Sequence, residues 1–154
     1  MAEFIMISDN EAYYERERLY PHIPVDKDID SWICRKVFFG KNIVVKGDNS
    51  LVDNQCSTEK KIWNKAKKTK WAKFFVPVLD KGKFAYDCDT WRYVVVPKIE
   101  FDYSYLILDH PDIEDFRKCI DKFDLMDIDI EFQRNCAVSK DGRLLMFDYG
   151  MTNK

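Results

Sequence analysis

The sequence predicts an α+β domain, with an antiparallel sheet carrying one helix, then a second helix and a terminal hairpin. Three observations predict it. Short β-branched and aromatic runs crowd the first hundred positions, as in Ile43-Val44-Val45 and Tyr93-Val94-Val95-Val96. Two stretches place apolar residues at helical spacing, and Asp141-Gly142 joins two short apolar runs near the end of the chain. A length of 154 residues suits one domain, and a 46% hydrophobic content supplies a core for it.

Strand patterns run over Trp32–Phe39 and Lys41–Lys46, separated at Gly40. Positions 53–70 predict a helix, with Asp53, Asn54 or Ser57 as N-cap. Further strands are expected at Phe74–Leu79, Lys83–Asp87 and Arg92–Ile99, with Lys81-Gly82 as the turn between the first two. Pro111 marks the start of the second helix as an N1 proline, and Ile113, Phe116, Ile120 and Phe123 form its buried stripe. A helix is also permitted up to Arg18, ending before Tyr20-Pro21-His22-Ile23-Pro24.

Composition excludes several classes. The formal charge is -2, which argues against a protein that coats nucleic acid over its whole surface. Two histidines, His22 and His110, are too few for most His-based zinc sites, and five cysteines without a C-x-x-C pair do not make a disulfide framework. No apolar run has the roughly 18 residues of a membrane span, and the opening MAEFIMISDNEAYYERER lacks the features of a signal peptide. The expectation is a soluble cytoplasmic protein with buried or incidental thiols. Charge is nevertheless segregated, with lysines from Lys60 to Lys73 and acids from Glu100 to Glu131.

Two constellations carry chemistry. A type I′ turn at Asp141-Gly142 sets Val138 opposite Leu145, Cys136 opposite Phe147, and Asn135 opposite Asp148. An amide and a carboxylate then meet at the open end of an apolar hairpin. They suit either a magnesium ion completed by phosphate and water, or a hydrogen bond that closes the hairpin. In the first half, strand alternation puts Val44 and Lys46 on one face, and helical spacing puts Glu59 on the face of Ile62, Trp63 and Ala66. An acid on an apolar face is costly unless paired, and Lys46 is the natural partner. Such a pair either fixes an ammonium against a phosphate or serves as a structural ion pair.

In this order the parts resemble the protein-kinase-like fold shared with the aminoglycoside phosphotransferases. Lys46 in IVVK resembles the lysine of the third strand, Glu59 the acid of the following helix, and WRYVVVPKIEF the last small-lobe strand leading to the hinge. Asn135 and Asp148, thirteen residues apart in NCAVSKDGRLLMFDYG, resemble the catalytic-loop asparagine and the metal-binding aspartate of a DFG-type motif. The layout is most similar to small kinase-like proteins of bacteriophages. The resemblance implies a single domain over 1–154, with an N-terminal extension at 1–29, a small-lobe-like part at 30–100 and a truncated large-lobe-like part at 101–154. It also implies magnesium and ATP as possible cofactors.

Departures from the pattern shape the functional expectation. The phosphate-covering stretch, Asp30-Ser31-Trp32-Ile33-Cys34-Arg35, has no glycine. Ile130 stands where the catalytic aspartate is expected, leaving Asp129 and Glu131 as substitutes, and the sequence ends four residues after Gly150. These features favour a non-catalytic kinase-like protein that binds and modulates or inhibits a host protein, in the manner of a phage counter-defence factor. The alternatives are an active small ATP-dependent phosphotransferase and nucleic-acid contact through the Lys60–Lys73 helix with Trp63 and Trp71. The N-terminal Tyr13, Tyr14, Arg16, Arg18 and Tyr20 are residue types favoured at interfaces or packed back onto the sheet.

Overall fold

A computed structural model describes residues 35–39, 42–49, 54–86 and 89–152. The expectations for the N-terminal helix and its aromatic and arginine residues, for His22, Cys34 and Cys88, and for most of the glycine-free stretch lie outside the described residues. Among the described residues no helix is long and apolar enough to cross a membrane. The architecture is α+β, with two antiparallel sheets and two α-helices among the described residues. The chain divides into two compact units, one containing the residues up to Cys56 with Val78–Lys98, the other Ser57–Pro77 with Ile99–Lys154.

The first unit is a four-stranded antiparallel sheet of β1 (Arg35–Phe39), β2 (Ile43–Asn49), β3 (Asp80–Tyr86) and β4 (Asp89–Pro97), in the order β1-β2-β4-β3. The apolar run Tyr93–Val96 lies on the central strand β4, and its alternating side chains are buried on both faces of the sheet. Lys81-Gly82, expected as a turn, lies inside β3, where Gly82 pairs with Tyr93. A Cβ on Gly82 would come within 2.6 Å of the Tyr93 ring atoms and hydroxyl, so the glycine is there to admit the ring. Phe74–Leu79 is likewise not a strand. Lys70–Phe74 forms a 3-10 helix capped by the Thr69 hydroxyl, and beyond it only Phe75 bridges, to Met146.

Helix α1 spans Gln55–Ala66. Its first turn receives an acceptor from β2, since the Cys56 N–H donates to Asp48 Oδ2 at 2.7 Å. A carboxylate at the N-terminal turn accepts an N–H that the helix itself cannot pair, and it complements the helix dipole. Asp48 is fully buried, and the Cys56 thiol donates to the Lys46 carbonyl at 3.2 Å, so the helix start is tied to β2 twice. Asp48→Ala is expected to lower unfolding stability by about 1–3 kcal/mol. Urea denaturation of the variant beside the wild type checks this.

The second unit is built around α2 (Ile113–Phe123) and a three-stranded sheet of β5 (Phe101–Asp102), β6 (Cys136–Ser139) and β7 (Leu144–Met146), ordered β5-β6-β7. Pro111 sits one position before the N-cap, Asp112, rather than at N1. Along α2, Phe116 and Cys119 are fully buried, with Ile113, Ile120 and Phe123 packed partly against the core. Phe116 meets Phe74 edge-on at 5.3 Å, and Phe123 meets Phe75 in the same way at 5.3 Å. Burial pushes the Cys119 thiol up to about 12, and burial together with the charge of Asp129 does the same for Cys136. Both thiols therefore stay protonated through neutral pH. Iodoacetamide at pH 7.5 is expected to leave Cys119 and Cys136 unmodified in the folded chain and to label both in urea, read by peptide mass spectrometry.

The hairpin register differs by one residue from the expectation. Cys136 pairs with Met146, Ala137 with Leu145, and Val138 with Leu144. A type I′ turn needs positive φ at both central residues, but Gly142 has φ 91 and Asp141 is not in the left-handed region. The loop is instead Lys140-Asp141-Gly142, closed by Gly142 N–H to Ser139 O at 2.9 Å and Ser139 N–H to Arg143 O at 2.8 Å. The Ser139 hydroxyl and then Arg143 bond the Asp141 carboxylate, holding its carboxyl below the usual range. His110 buttresses this loop from outside the hairpin. Its Nδ1 accepts the Asp112 N–H at 3.1 Å, so Nε2 carries the proton and donates to Gly142 O at 2.9 Å.

Candidate functional site

The four residues singled out as a nucleotide-site remnant fall in different units, Lys46 in the first and Glu59, Asn135 and Asp148 in the second. Lys46 lies on the central strand β2, with 7% of its surface exposed. Glu59 lies on α1 and is fully buried on the face of Ile62 and Ala66, as helical spacing requires. Both charged side chains are therefore withdrawn from water, which is tolerated only when they are compensated.

Asn135 and Asp148 belong to the second unit. The shifted register sets Asn135 across from Phe147, whose N–H donates to the Asn135 carbonyl at 3.1 Å, so Asp148 follows one residue beyond the directly opposed position. Asn135 has φ 61, a left-handed conformation that asparagine tolerates better than most residues. Its Nδ2 donates to the Asp127 carbonyl at 3.1 Å, and its Oδ1 makes no hydrogen bond among the described residues. Asp148 is half-buried. An amide oxygen and a carboxylate are oxygen donors of the kind magnesium takes, but the shifted register removes the direct opposition that was expected to bring these two together. Among the described residues no three His, Cys, Asp or Glu side chains cluster for metal binding.

The loop before Asn135 is firmly built. Asp129 and Arg134 exchange backbone hydrogen bonds at 3.1 and 2.9 Å, and the Asp129 carboxylate accepts the Phe132 N–H at 3.1 Å. Gln133, at φ 51, accepts the Ile107 N–H through Oε1 at 2.9 Å. Below the loop, Met126 N–H donates to Met151 O at 3.0 Å, and Leu125 bridges Thr152. Within this frame Ile130 is a core residue with 9% exposure, packed in the cluster that includes Phe116, Ile128 and Cys136. Half-buried Asp129 and exposed Glu131, with the edge of Ile130, line a shallow cleft of about 410 Å³ with Arg117, Ile120 and Asp121 of α2, and neither Asn135 nor Asp148 lines that cleft.

Tyr149, the residue between Asp148 and Gly150, is a structural anchor that motif reasoning passed over. It is 1% exposed, its ring meets Phe75 edge-on at 4.8 Å, and its hydroxyl donates to the Val76 carbonyl at 2.7 Å. Its aromatic character beside the motif aspartate was the available signal. His110 and the Asp127 carbonyl carried no comparable signal, because their roles arise from backbone groups.

No protein-family model matches this chain, and no curated protein matches it. Solved structures do. The PknI kinase domain of Mycobacterium tuberculosis is similar over 78% of this chain and 56% of its own, with 16% identity and a TM-score of 0.44. The MAP kinase LmaMPK10 of Leishmania major is similar over 92% of this chain and 52% of its own, with 10% identity and a TM-score of 0.43. The chain thus spans about half the length of each of these protein kinase structures.

Proposed function

We propose that this chain is a non-catalytic kinase-like protein that works by binding and modulating another protein. The observation that carries this reading is the environment of Ile130. At the position expected for the general base, the side chain is part of the hydrophobic core. The neighbouring acids do not readily substitute for it. Asp129 spends one carboxylate oxygen on the Phe132 N–H, and Glu131 shares with Asp129 a cleft that Asn135 and Asp148 do not line. The phage-like layout of the sequence points to a host protein as the partner, and to modulation or inhibition as the outcome. The test is affinity capture from host lysate with the wild type and with Asp148→Ala. The reading expects one partner retained in stoichiometric amount by both forms, and capture of none would count against it.

A second reading, a weak ATP-dependent phosphotransferase, is favoured by the retention of both Asn135, its amide nitrogen anchored, and Asp148. Loss of a general base costs roughly two to four orders of magnitude, which leaves room for slow turnover. A thermal shift with millimolar MgATP that disappears in Asp148→Ala would favour it.

A further inference from the structure

The lysine-rich segment is not evenly solvated. Lys61 and Lys65, at i and i+4 on α1, stand on one face with Cβ atoms about 5–6 Å apart. With Lys122, from the last turn of α2, they border a cleft of about 680 Å³ whose walls include Ile62, Trp71 and Phe123. Every residue lining the cleft belongs to the unit formed by Ser57–Pro77 and Ile99–Lys154. Its volume falls within the range of clefts that take small ligands or side-chain anchors.

Positive charge is in excess at this place, while several cations elsewhere are paired. Lys73 pairs with Asp112, Arg117 with Glu114, Lys140 with Glu100 and Arg143 with Asp141. Lys61, Lys65 and Lys122 are all exposed and form no ion pair among the described residues, and Asp124 is the one acid lining the cleft with them. Trp71 and Phe123 are half-buried, leaving part of each ring open to an incoming group.

We propose that this cleft docks an acidic peptide segment of a partner protein, with an aromatic or large aliphatic anchor flanked by Asp or Glu. The anchor lies against Ile62, Trp71 and Phe123, and the flanking carboxylates meet the three ammonium groups. Nucleic acid suits the surroundings less well. The same helix that supplies Lys122 exposes Glu114, Asp115 and Asp121, and a long polyanion would meet them beyond the cleft. A short segment in the cleft meets three lysines and one acid, Asp124. This inference rests on the partner-binding reading and narrows it to one surface.

The test is selection of random dodecapeptides displayed on phage against the full-length chain, followed by fluorescence anisotropy with a synthetic peptide of the recovered consensus. The expected consensus has acidic residues around an aromatic or large aliphatic position. Lys61→Glu combined with Lys65→Glu, both at exposed positions, should weaken that peptide about tenfold with the melting temperature unchanged. Recovery of no binder, a consensus without acids, or undiminished affinity in the double variant would overturn the proposal. Tighter binding of a 20-nucleotide oligothymidine, lost in the same variant, would overturn it in favour of single-stranded nucleic acid. A captured partner that still binds the double variant would remove the cleft proposal and leave the partner-binding reading intact.

Discussion

Ile130→Asp should fail to create a phosphotransferase and should destabilise the second unit by about 3 kcal/mol or more. The substitution trades a packed side chain for a carboxyl group in a hydrophobic cluster, so it loses the burial of the isoleucine and adds the desolvation of an acid. A general base contributes roughly two to four orders of magnitude only where it reaches the attacking hydroxyl. Position 130 instead belongs to the core cluster that includes Phe116 and Cys136. Urea denaturation measures the stability loss, and incubation with γ-labelled MgATP measures any gained transfer. Ile130→Val serves as the packing control, with an expected loss of about 0.5–1.5 kcal/mol.

Tyr149→Ala should be of similar or larger consequence, with an expected loss of about 3–5 kcal/mol. The ring is among the largest fully buried side chains of the described residues and packs edge-on against Phe75. Tyr149→Phe separates the packing from the hydrogen bond. It keeps the ring but leaves the Val76 carbonyl without the hydroxyl that donates to it at 2.7 Å, a loss of about 1–3 kcal/mol. Thermal unfolding of the two variants beside the wild type gives the ordering, with Tyr149→Phe intermediate.

Much of the fold was legible because the strongest sequence signals are local. The face of α1 that carries Glu59, Ile62 and Ala66, and the stripe of α2 centred on Phe116, follow from helical spacing, and both are buried. The two runs around Asp141-Gly142 pair as a hairpin for the same reason. The errors arose where one residue pair permits two backbone solutions. Asp-Gly serves a two-residue turn when both φ angles are positive and a three-residue loop when only the glycine's is, and here His110 and Arg143 support the latter. Lys81-Gly82 reads as a turn unless the chain across the sheet places a large ring over the glycine, as Tyr93 does. The helix start at Gln55 follows Asn54, one of the expected caps, whereas the added acceptor Asp48 was not legible because it comes from a strand.

Of the candidate site, residue types were readable and the frame was not. Lys46 and Glu59 were expected to be charged groups on inner faces, and each is buried. The left-handed conformation of Asn135 and its amide bond to the Asp127 carbonyl depend on the loop held by the Asp129–Arg134 bridge and Gln133. No periodicity encodes that loop. Ile130 was seen as a departure from a motif, and its burial supplies a physical reason for the departure.

The central claim, binding in place of catalysis, is tested most directly by single-turnover phosphotransfer. Excess chain is mixed with γ-labelled MgATP, and label in protein and in inorganic phosphate is followed for wild type and Asp148→Ala. The account predicts no release or transfer by the wild type above the level of Asp148→Ala. Wild-type turnover that disappears in Asp148→Ala would contradict it and make the chain an enzyme.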